Sequence, residues 1–154
     1  MSGYYLDASA LVKRYTDEPG SDWVRQITDP GTGNTIFLAE ITLAEVAAAF
    51  AAKHRMSGRL TLQQRDRALS LFLQECDEHF LLLPVDRPVI ERAVELTQSH
   101  RLRGYDAVQL ASALVACEVL KSRQMAPPAF VASDVHLMIA ARGENLITDN
   151  PLDH

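Results

Sequence analysis

Four acidic residues have the type and the placement for metal-dependent chemistry. Asp7, Glu45, Asp106 and Asp134 each follow or open an apolar stretch, where a strand should end or a helix should begin. If they converge, two unit charges about 4 Å apart would cost roughly 4 kcal/mol at an effective dielectric of about 20. A cluster of this kind needs a bound cation or shared protons. Because an all-oxygen site suits a hard metal better than zinc, these residues indicate Mg²⁺ or Mn²⁺.

Three of these carboxylates also have an ordinary structural explanation. Asp7 and Asp134 are in position to cap the helices that follow them, and Asp106 would complement the dipole of its helix. Ser9 lies two residues after Asp7, where its hydroxyl could lie beside a metal-bound water or bond the helix backbone. The sequence alone leaves the structural and the functional interpretation open at each position.

The fourth carboxylate has a sharper alternative and a competitor. Thr42 and Glu45 have the spacing of a capping box, in which Thr42 is the N-cap and Glu45 reaches back to its N–H. Glu40 lies just upstream, at the end of the preceding predicted strand, and could replace Glu45 in the site.

The elements that must position these acids alternate along the chain. Strands are predicted at 4–6, 36–38, 80–85, 130–132 and 146–148, and helices at 8–15, 22–27, 42–56, 61–78, 89–100, 105–120 and 135–141. This alternation predicts βαβ units in a three-layer α/β/α sandwich with a parallel sheet of four or five strands. The apolar run 80–85 is typical of a strand covered on both faces. We expect one domain over 1–154, with ligands bound beyond the carboxyl ends of the strands.

Composition and motifs narrow the class of protein. No apolar run approaches the ~20 residues that span a bilayer, and the N-terminus lacks the pattern of a secretion signal. Cys76 and Cys117 are isolated, which favours reduced thiols in a cytoplasmic protein. Dinucleotide, P-loop, nucleophile-elbow and HExxH motifs do not occur, so the chemistry of those classes has no support in the sequence.

The net charge of −5 weighs against a protein that coats nucleic acid, because such proteins are usually basic. A nuclease remains possible, since an acidic metal site accounts for part of that charge. RNA contact would then need a local basic surface, for which Lys53, Arg55 and Arg59 form one candidate and Lys13 with Arg14 another. The alternative for both groups is a solvated helix face.

The order of the motifs resembles that of PIN-domain proteins, most closely the VapC-type ribonuclease toxins of toxin–antitoxin pairs. The matching segments run in family order over essentially the whole chain: YLDASALVKRY, ITLAEVAAAF, LRGYDAVQLASAL and FVASDVHLMIAARGENLITDNP. No single segment is specific, but the ordered set at these separations is. Ser133 stands where Thr is common in the family, and Gly143-Glu144-Asn145 adds polar residues before the last strand. Neither departure removes a carboxylate.

The resemblance implies a function and a set of roles. Asp7, Glu45, Asp106 and Asp134 would be the ligands of Mg²⁺ or Mn²⁺, and Ser9 would be the small hydroxyl residue that follows the first acid. The activity implied is endonucleolytic cleavage of RNA by metal-activated water, leaving a 5′-phosphate and a 3′-hydroxyl. The partners implied are RNA, a cognate antitoxin and a second copy of the chain, with no membrane. The alternatives are a housekeeping RNA-processing PIN nuclease and a non-catalytic PIN-like binding module.

Overall fold

The computed structural model describes residues 1–154, except for the side chain of Ser57. The strands of the described chain are β1 (Gly3–Leu6), β2 (Thr35–Ala39), β3 (Leu81–Leu83), β4 (Ala129–Val131) and β5 (Thr148–Asp149). The α-helices are α1 (Ala8–Leu11), α2 (Ser21–Ile27), α3 (Ile41–Ser57), α4 (Leu62–Glu78), α5 (Arg87–Ser99), α6 (Gly104–Ser122) and α7 (Val135–Gly143). Within these described residues, no helix combines the length and the apolar character that crossing a membrane requires.

The sheet is parallel throughout, and its strand order is β3-β2-β1-β4-β5. Strand β1 lies at the centre, where Tyr5 pairs with Phe37 of β2 on one side and with Phe130 of β4 on the other. The chain therefore leaves β1 in one direction and returns much later on its opposite side. In open parallel sheets this switch between two strands opens a crevice at their carboxyl ends, and ligands bind there.

Helices cover both faces of the sheet, because consecutive residues of a strand point to opposite sides. The fully buried Tyr5 faces the layer of α5, α6 and α7, and its ring stacks on that of Phe130 with centroids 5.5 Å apart. The next residue, Leu6, is also fully buried but faces the layer of α3 and α4, where it shares a cluster with Phe50 and Phe72. These two clusters confirm the predicted three-layer α/β/α sandwich with a parallel sheet.

Two strands differ from their predicted form. Strand β3 is an edge strand that pairs with β2 alone, it covers three residues, and Leu81 is 53% exposed. The prediction that the run 80–85 forms a strand covered on both faces is therefore wrong. The apolar run reflects instead the buried Phe80, which precedes the strand and packs beneath it. The last strand lies at Thr148–Asp149, slightly later than the predicted 146–148.

Helix α3 begins at Ile41, one residue earlier than predicted, and this removes the capping box at its start. Glu40 is the N-cap residue but makes no side-chain capping bond, and Thr42 lies inside the first turn. The hydroxyl of Thr42 is fully buried and accepts a hydrogen bond from a distant helix instead. A capping box does occur at the next helix, where Thr61 and Gln64 cap α4 reciprocally.

Lys13 is buried and Arg14 is half-buried, and both are held by acidic residues of the chain. Lys13 is 5% exposed and forms an ion pair with Glu18 at 2.9 Å. The guanidinium of Arg14 donates to both carboxylate oxygens of Glu75 on α4, at 2.9 and 2.6 Å, and to the hydroxyl of Thr28. These bonds tie the turn after α1 to α4. The pair therefore does not form the surface patch considered as an RNA contact.

Candidate active site

Two of the predicted acids follow neighbouring strands at the central switch of the sheet. Asp7 comes directly after β1, and Asp134 comes three residues after the end of β4. Both are N-caps: Asp7 accepts the N–H of Ala10 at 3.0 Å, and Asp134 accepts the N–H of Leu137 at 2.8 Å. The capping role is thus confirmed for both, but it uses only one oxygen, Oδ1, of each carboxylate. The capping and metal-binding interpretations are compatible.

Ser9 links the two strand ends. Its hydroxyl donates to Oδ1 of Asp7 at 2.7 Å and accepts the backbone N–H of Ser133 at 3.0 Å. This contact joins the turn after β1 to the turn after β4. The Ser9 hydroxyl thus has two partners, the Asp7 carboxylate and a distant backbone N–H. Within the described chain, it does not bond to the backbone of its own helix.

Glu45 is held by a buried polar network centred on Gln109 of α6. The Gln109 side chain is 1% exposed, and its Nε2 donates to Oε1 of Glu45 at 2.7 Å and to the hydroxyl of Thr42 at 2.9 Å. Its Oε1 accepts the hydroxyl of Tyr5 on β1 at 2.8 Å. The network therefore connects the central strand, α3 and α6. It also fixes one oxygen of a half-buried carboxylate.

Asp106 lies in the first turn of α6 and is half-buried. A cleft opens at this edge of the sheet. The competing acid, Glu40, is exposed and is not one of the residues that line this cleft. Glu45, by contrast, lines that cleft together with Asp106 and Asp134. The structure thus brings Glu45, rather than Glu40, towards the other acids.

Burial and mutual repulsion act together on the most enclosed acid. Asp7 is 5% exposed. The pKa of Asp7 is raised to about 7, mainly by burial and to a smaller extent by the charges of Glu45 and Asp106. The hydrogen bonds from Ser9 and Ala10 oppose this shift. In the absence of a cation, Asp7 therefore holds a proton well above the ordinary pKa of an aspartate.

Burial and like charges also act on Glu45 and Asp106. Burial raises the pKa of Glu45, and the charge of Asp106 adds to the shift, while the bond from Gln109 opposes it. Burial also raises the pKa of Asp106, with a further contribution from Asp134 and an opposing one from Arg103. Asp7, Glu45 and Asp106 thus each sense the charge of at least one other acid, and Asp134 is one of the charges that act on Asp106.

The donor set fits a hard divalent cation in charge and atom type. The four side chains offer carboxylate oxygens only, and burial with like charges disfavours the ionised forms of Asp7, Glu45 and Asp106 unless a cation compensates. In their described conformations, no three or more Asp, Glu, His or Cys side chains form a ready-made ligand cluster. The fit therefore rests on the chemistry and coupling of the acids.

A cleft of about 690 Å³ opens over these acids. Glu45, Asp106 and Asp134 form its acidic wall, whereas the buried Asp7 is not one of its lining residues. The rim carries basic and aromatic side chains, namely Arg101, Arg103, Tyr105, His100 and His136. The cations that face the cleft are therefore not those singled out in the sequence.

Sequence reasoning missed Gln109. Its signal was a lone amide within an otherwise apolar helical segment, VQLASAL. Its role depends on contacts with Glu45 and Thr42, which are 64 and 67 residues away. Such contacts have no local sequence pattern.

Replacing Gln109 by Leu should lower the free energy of unfolding by about 1–3 kcal/mol. The substitution leaves the hydroxyls of Tyr5 and Thr42 in the interior without their partner, and buried unsatisfied polar groups cost this much. Urea unfolding in EDTA measures the change. As a matched control, Gln98→Leu on the exposed face of α5 should change stability by less than about 0.5 kcal/mol. Equal stability of the two variants would contradict a structural role of the network.

Comparison with known proteins identifies the family. The PIN domain model matches residues 4–122. The chain belongs to the PIN domain family. A comparison with curated proteins gave no match.

Solved structures share the fold. VapBC2 from Rickettsia felis, bound to a DNA fragment from its promoter, is 18% identical with a TM-score of 0.62, and the match covers 96% of this chain and 98% of that one. A toxin–antitoxin complex from Klebsiella pneumoniae is 18% identical with a TM-score of 0.55, over 96% and 97% of the two chains. The sarcin–ricin-loop-cleaving toxin VapC20 of Mycobacterium tuberculosis is 15% identical with a TM-score of 0.58, over 89% and 94%. At these identities the likeness concerns the fold.

Proposed function

We propose that this PIN protein, acting as one domain over 1–154, is a divalent-metal-dependent endoribonuclease and the toxin of a toxin–antitoxin pair. The observation that carries the proposal is the coupled set of carboxylates at the carboxyl edge of the sheet, where Asp7 and Asp134 follow adjacent strands. Strongly raised pKa values of carboxylates cluster at functional sites, and the pKa of Asp7 is raised to about 7. The same set argues against a non-catalytic binding module.

The residues of the chain divide the work in this proposal. Asp7, Glu45, Asp106 and Asp134 would hold Mg²⁺ or Mn²⁺. A bound ion of this kind activates water for attack on phosphorus and neutralises developing charge. Ser9 orients Asp7 by its hydrogen bond. Gln109 orients Glu45 in the same way.

The proposed partners have support from two directions. The structures that share the fold include complexes described as toxin–antitoxin assemblies, and one toxin described as cleaving the sarcin–ricin loop. Helix α4 of the α3–α4 hairpin leaves two large apolar side chains about half exposed on one face, Leu62 and Leu73, which are eleven residues or three turns apart. Such a face suits contact with an antitoxin or a second copy of the chain. RNA as substrate, the antitoxin and the homodimer remain parts of the proposal.

The proposal is tested by measuring RNA cleavage in the presence and in the absence of a divalent metal ion. We expect purified protein to cut single-stranded RNA in Mg²⁺ or Mn²⁺, to stop in EDTA and to recover when metal is restored. The products should carry 5′-phosphates, which ligation-based sequencing of RNA ends detects. Protein carrying Asp106→Asn, purified in parallel, controls for contaminating nuclease. Cleavage that persists in EDTA, or that Asp106→Asn leaves unchanged, would overturn the metal-dependent mechanism.

A further inference from the structure

The rim of the acidic cleft carries an exposed aromatic ring between two arginines and an acid. Tyr105 is 67% exposed and lines the cleft. Arg101 and Arg103, both exposed, line it from the segment that precedes α6. Tyr105 and Asp106 are consecutive residues in the first turn of α6. The Cα atoms of these two residues are therefore about 3.8 Å apart, so the ring is attached to the backbone next to a residue of the proposed metal site.

The contacts of Tyr105 within the fold do not explain why a tyrosine occupies this position. Among the described side chains, its ring pairs with no other aromatic ring, and its hydroxyl has no hydrogen-bond partner. It belongs to neither hydrophobic cluster. In contrast, Tyr5 and Tyr15 use both ring and hydroxyl in the interior. An exposed ring at the mouth of a polar cleft is free to contact a ligand.

The charges at the rim define the kind of ligand. The wall of the cleft is acidic, and the whole chain has a net charge of −5, so a phosphate chain would be repelled without local cations. Arg101 and Arg103 supply positive charge beside the acids. Among the described residues, neither forms an ion pair with a carboxylate at contact distance. Basic groups next to an aromatic ring are the combination that binds single-stranded nucleic acid.

We propose that Tyr105 stacks on a base of single-stranded RNA, while Arg101 and Arg103 contact phosphates that flank the scissile bond. This inference rests on the proposed function, because it names how the substrate of that same site is held. A single strand is required, since the base faces in a duplex are covered by their neighbours and stacking on a protein ring needs an unstacked base. Stacking tolerates any base, so Tyr105 would contribute affinity and position rather than sequence choice.

The test compares two RNA-like probes of equal charge. Fluorescence anisotropy would measure binding of a labelled random RNA octamer and of an octamer of abasic ribose phosphates. Both are measured on protein carrying Asp7→Asn, so that cleavage does not intervene. Tyr105→Ala should weaken binding of the octamer by about 5- to 150-fold and leave binding of the abasic probe unchanged, because stacking is worth ~1–3 kcal/mol per base. Tyr105→Phe, which keeps the ring, should bind within about twofold of the parent.

Two controls make the result specific. Val119→Ala truncates another exposed apolar residue of α6, far along the helix from the cleft, and should change neither probe. The double substitution Arg101→Gln with Arg103→Gln should weaken the binding of both probes. It should also make binding depend less steeply on salt concentration.

The outcomes separate this inference from the proposed function. If Tyr105→Ala binds the octamer as the parent does, or if the parent does not bind it, the stacking inference is overturned. If only Tyr105→Ala has no effect on octamer binding, the exposed ring would instead be assigned to contact with another protein. If base-dependent binding appears but the unsubstituted protein does not cleave RNA in Mg²⁺ or Mn²⁺, the nuclease proposal fails while the stacking inference stands.

Discussion

Asp7→Asn should reduce RNA cleavage by about 10²- to 10³-fold. A metal ion stabilises the charge of a phosphoryl transition state by several kcal/mol, and each ~1.4 kcal/mol corresponds to a factor of ten in rate. Asn has nearly the same shape but lacks the charge that attracts the ion. Its side-chain oxygen can still accept the N–H of Ala10 and the hydroxyl of Ser9, so the start of α1 should be preserved. Single-turnover cleavage at saturating Mg²⁺ measures the loss.

The same substitution should stabilise the metal-free protein at alkaline pH. The pKa of Asp7 in the folded protein is raised from 3.8 to about 7. Between these values the unfolded chain loses its proton while the folded protein keeps it, so the stability of the unsubstituted protein falls as pH rises from about 4 to about 7. Above that range both states are ionised and the penalty is complete. Asp7→Asn lacks this penalty.

Melting curves in EDTA at pH 4 and pH 8 test this sign. The two proteins should melt alike at pH 4, and Asp7→Asn should melt several degrees higher at pH 8, since ~1 kcal/mol shifts the melting temperature by roughly 2–4 °C in a chain of this size. Addition of Mg²⁺ or Mn²⁺ should narrow the difference by stabilising the unsubstituted protein alone. A variant that melts lower at pH 8 would show that Asp7 acts mainly as a helix cap.

The sheet could be predicted because its signals are local. Strand β1 and helix α1 are marked by short apolar segments, and their alternation along the chain implies parallel pairing. The predicted ends of helices were less accurate where a shift of one residue changes the role of the neighbouring residues. Thr42 has the type of an N-cap, yet the backbone of Glu40 is already helical, so Thr42 falls within the first turn and its hydroxyl turns to Gln109.

The placement of Asp7 and Asp134 after neighbouring strands could not be predicted from the residues themselves. It depends on β4 pairing directly with β1, although the two strands lie more than a hundred residues apart in the chain. No local pattern encodes strand order, so the sequence could place Asp7 and Asp134 at strand ends without placing the strands together. The basic surface was misplaced for a related reason. Lys13 and Arg14 have the residue types of an exposed surface. In the structure they form ion pairs with Glu18 and Glu75, respectively.

Glu45→Gln should separate catalysis from folding at the site. Gln keeps an oxygen that can accept the Nε2–H of Gln109, so the buried network and the melting temperature should survive in EDTA. The charge is lost, so the affinity for Mn²⁺ and the rate of RNA cleavage should fall together, the rate by about 10²-fold or more. Calorimetric titration with Mn²⁺ and cleavage assays over a range of Mg²⁺ concentrations measure the two effects.

Glu40→Gln is the matched control for that experiment. Glu40 precedes the same helix, is exposed, and makes no side-chain capping bond, so its substitution should change the cleavage rate by less than about twofold. The two acids are only five positions apart, but Glu45 alone lines the cleft and contacts Gln109. If Glu40→Gln abolished cleavage while Glu45→Gln did not, the metal site would have to be assigned to the end of β2, and the Gln109 network would be structural.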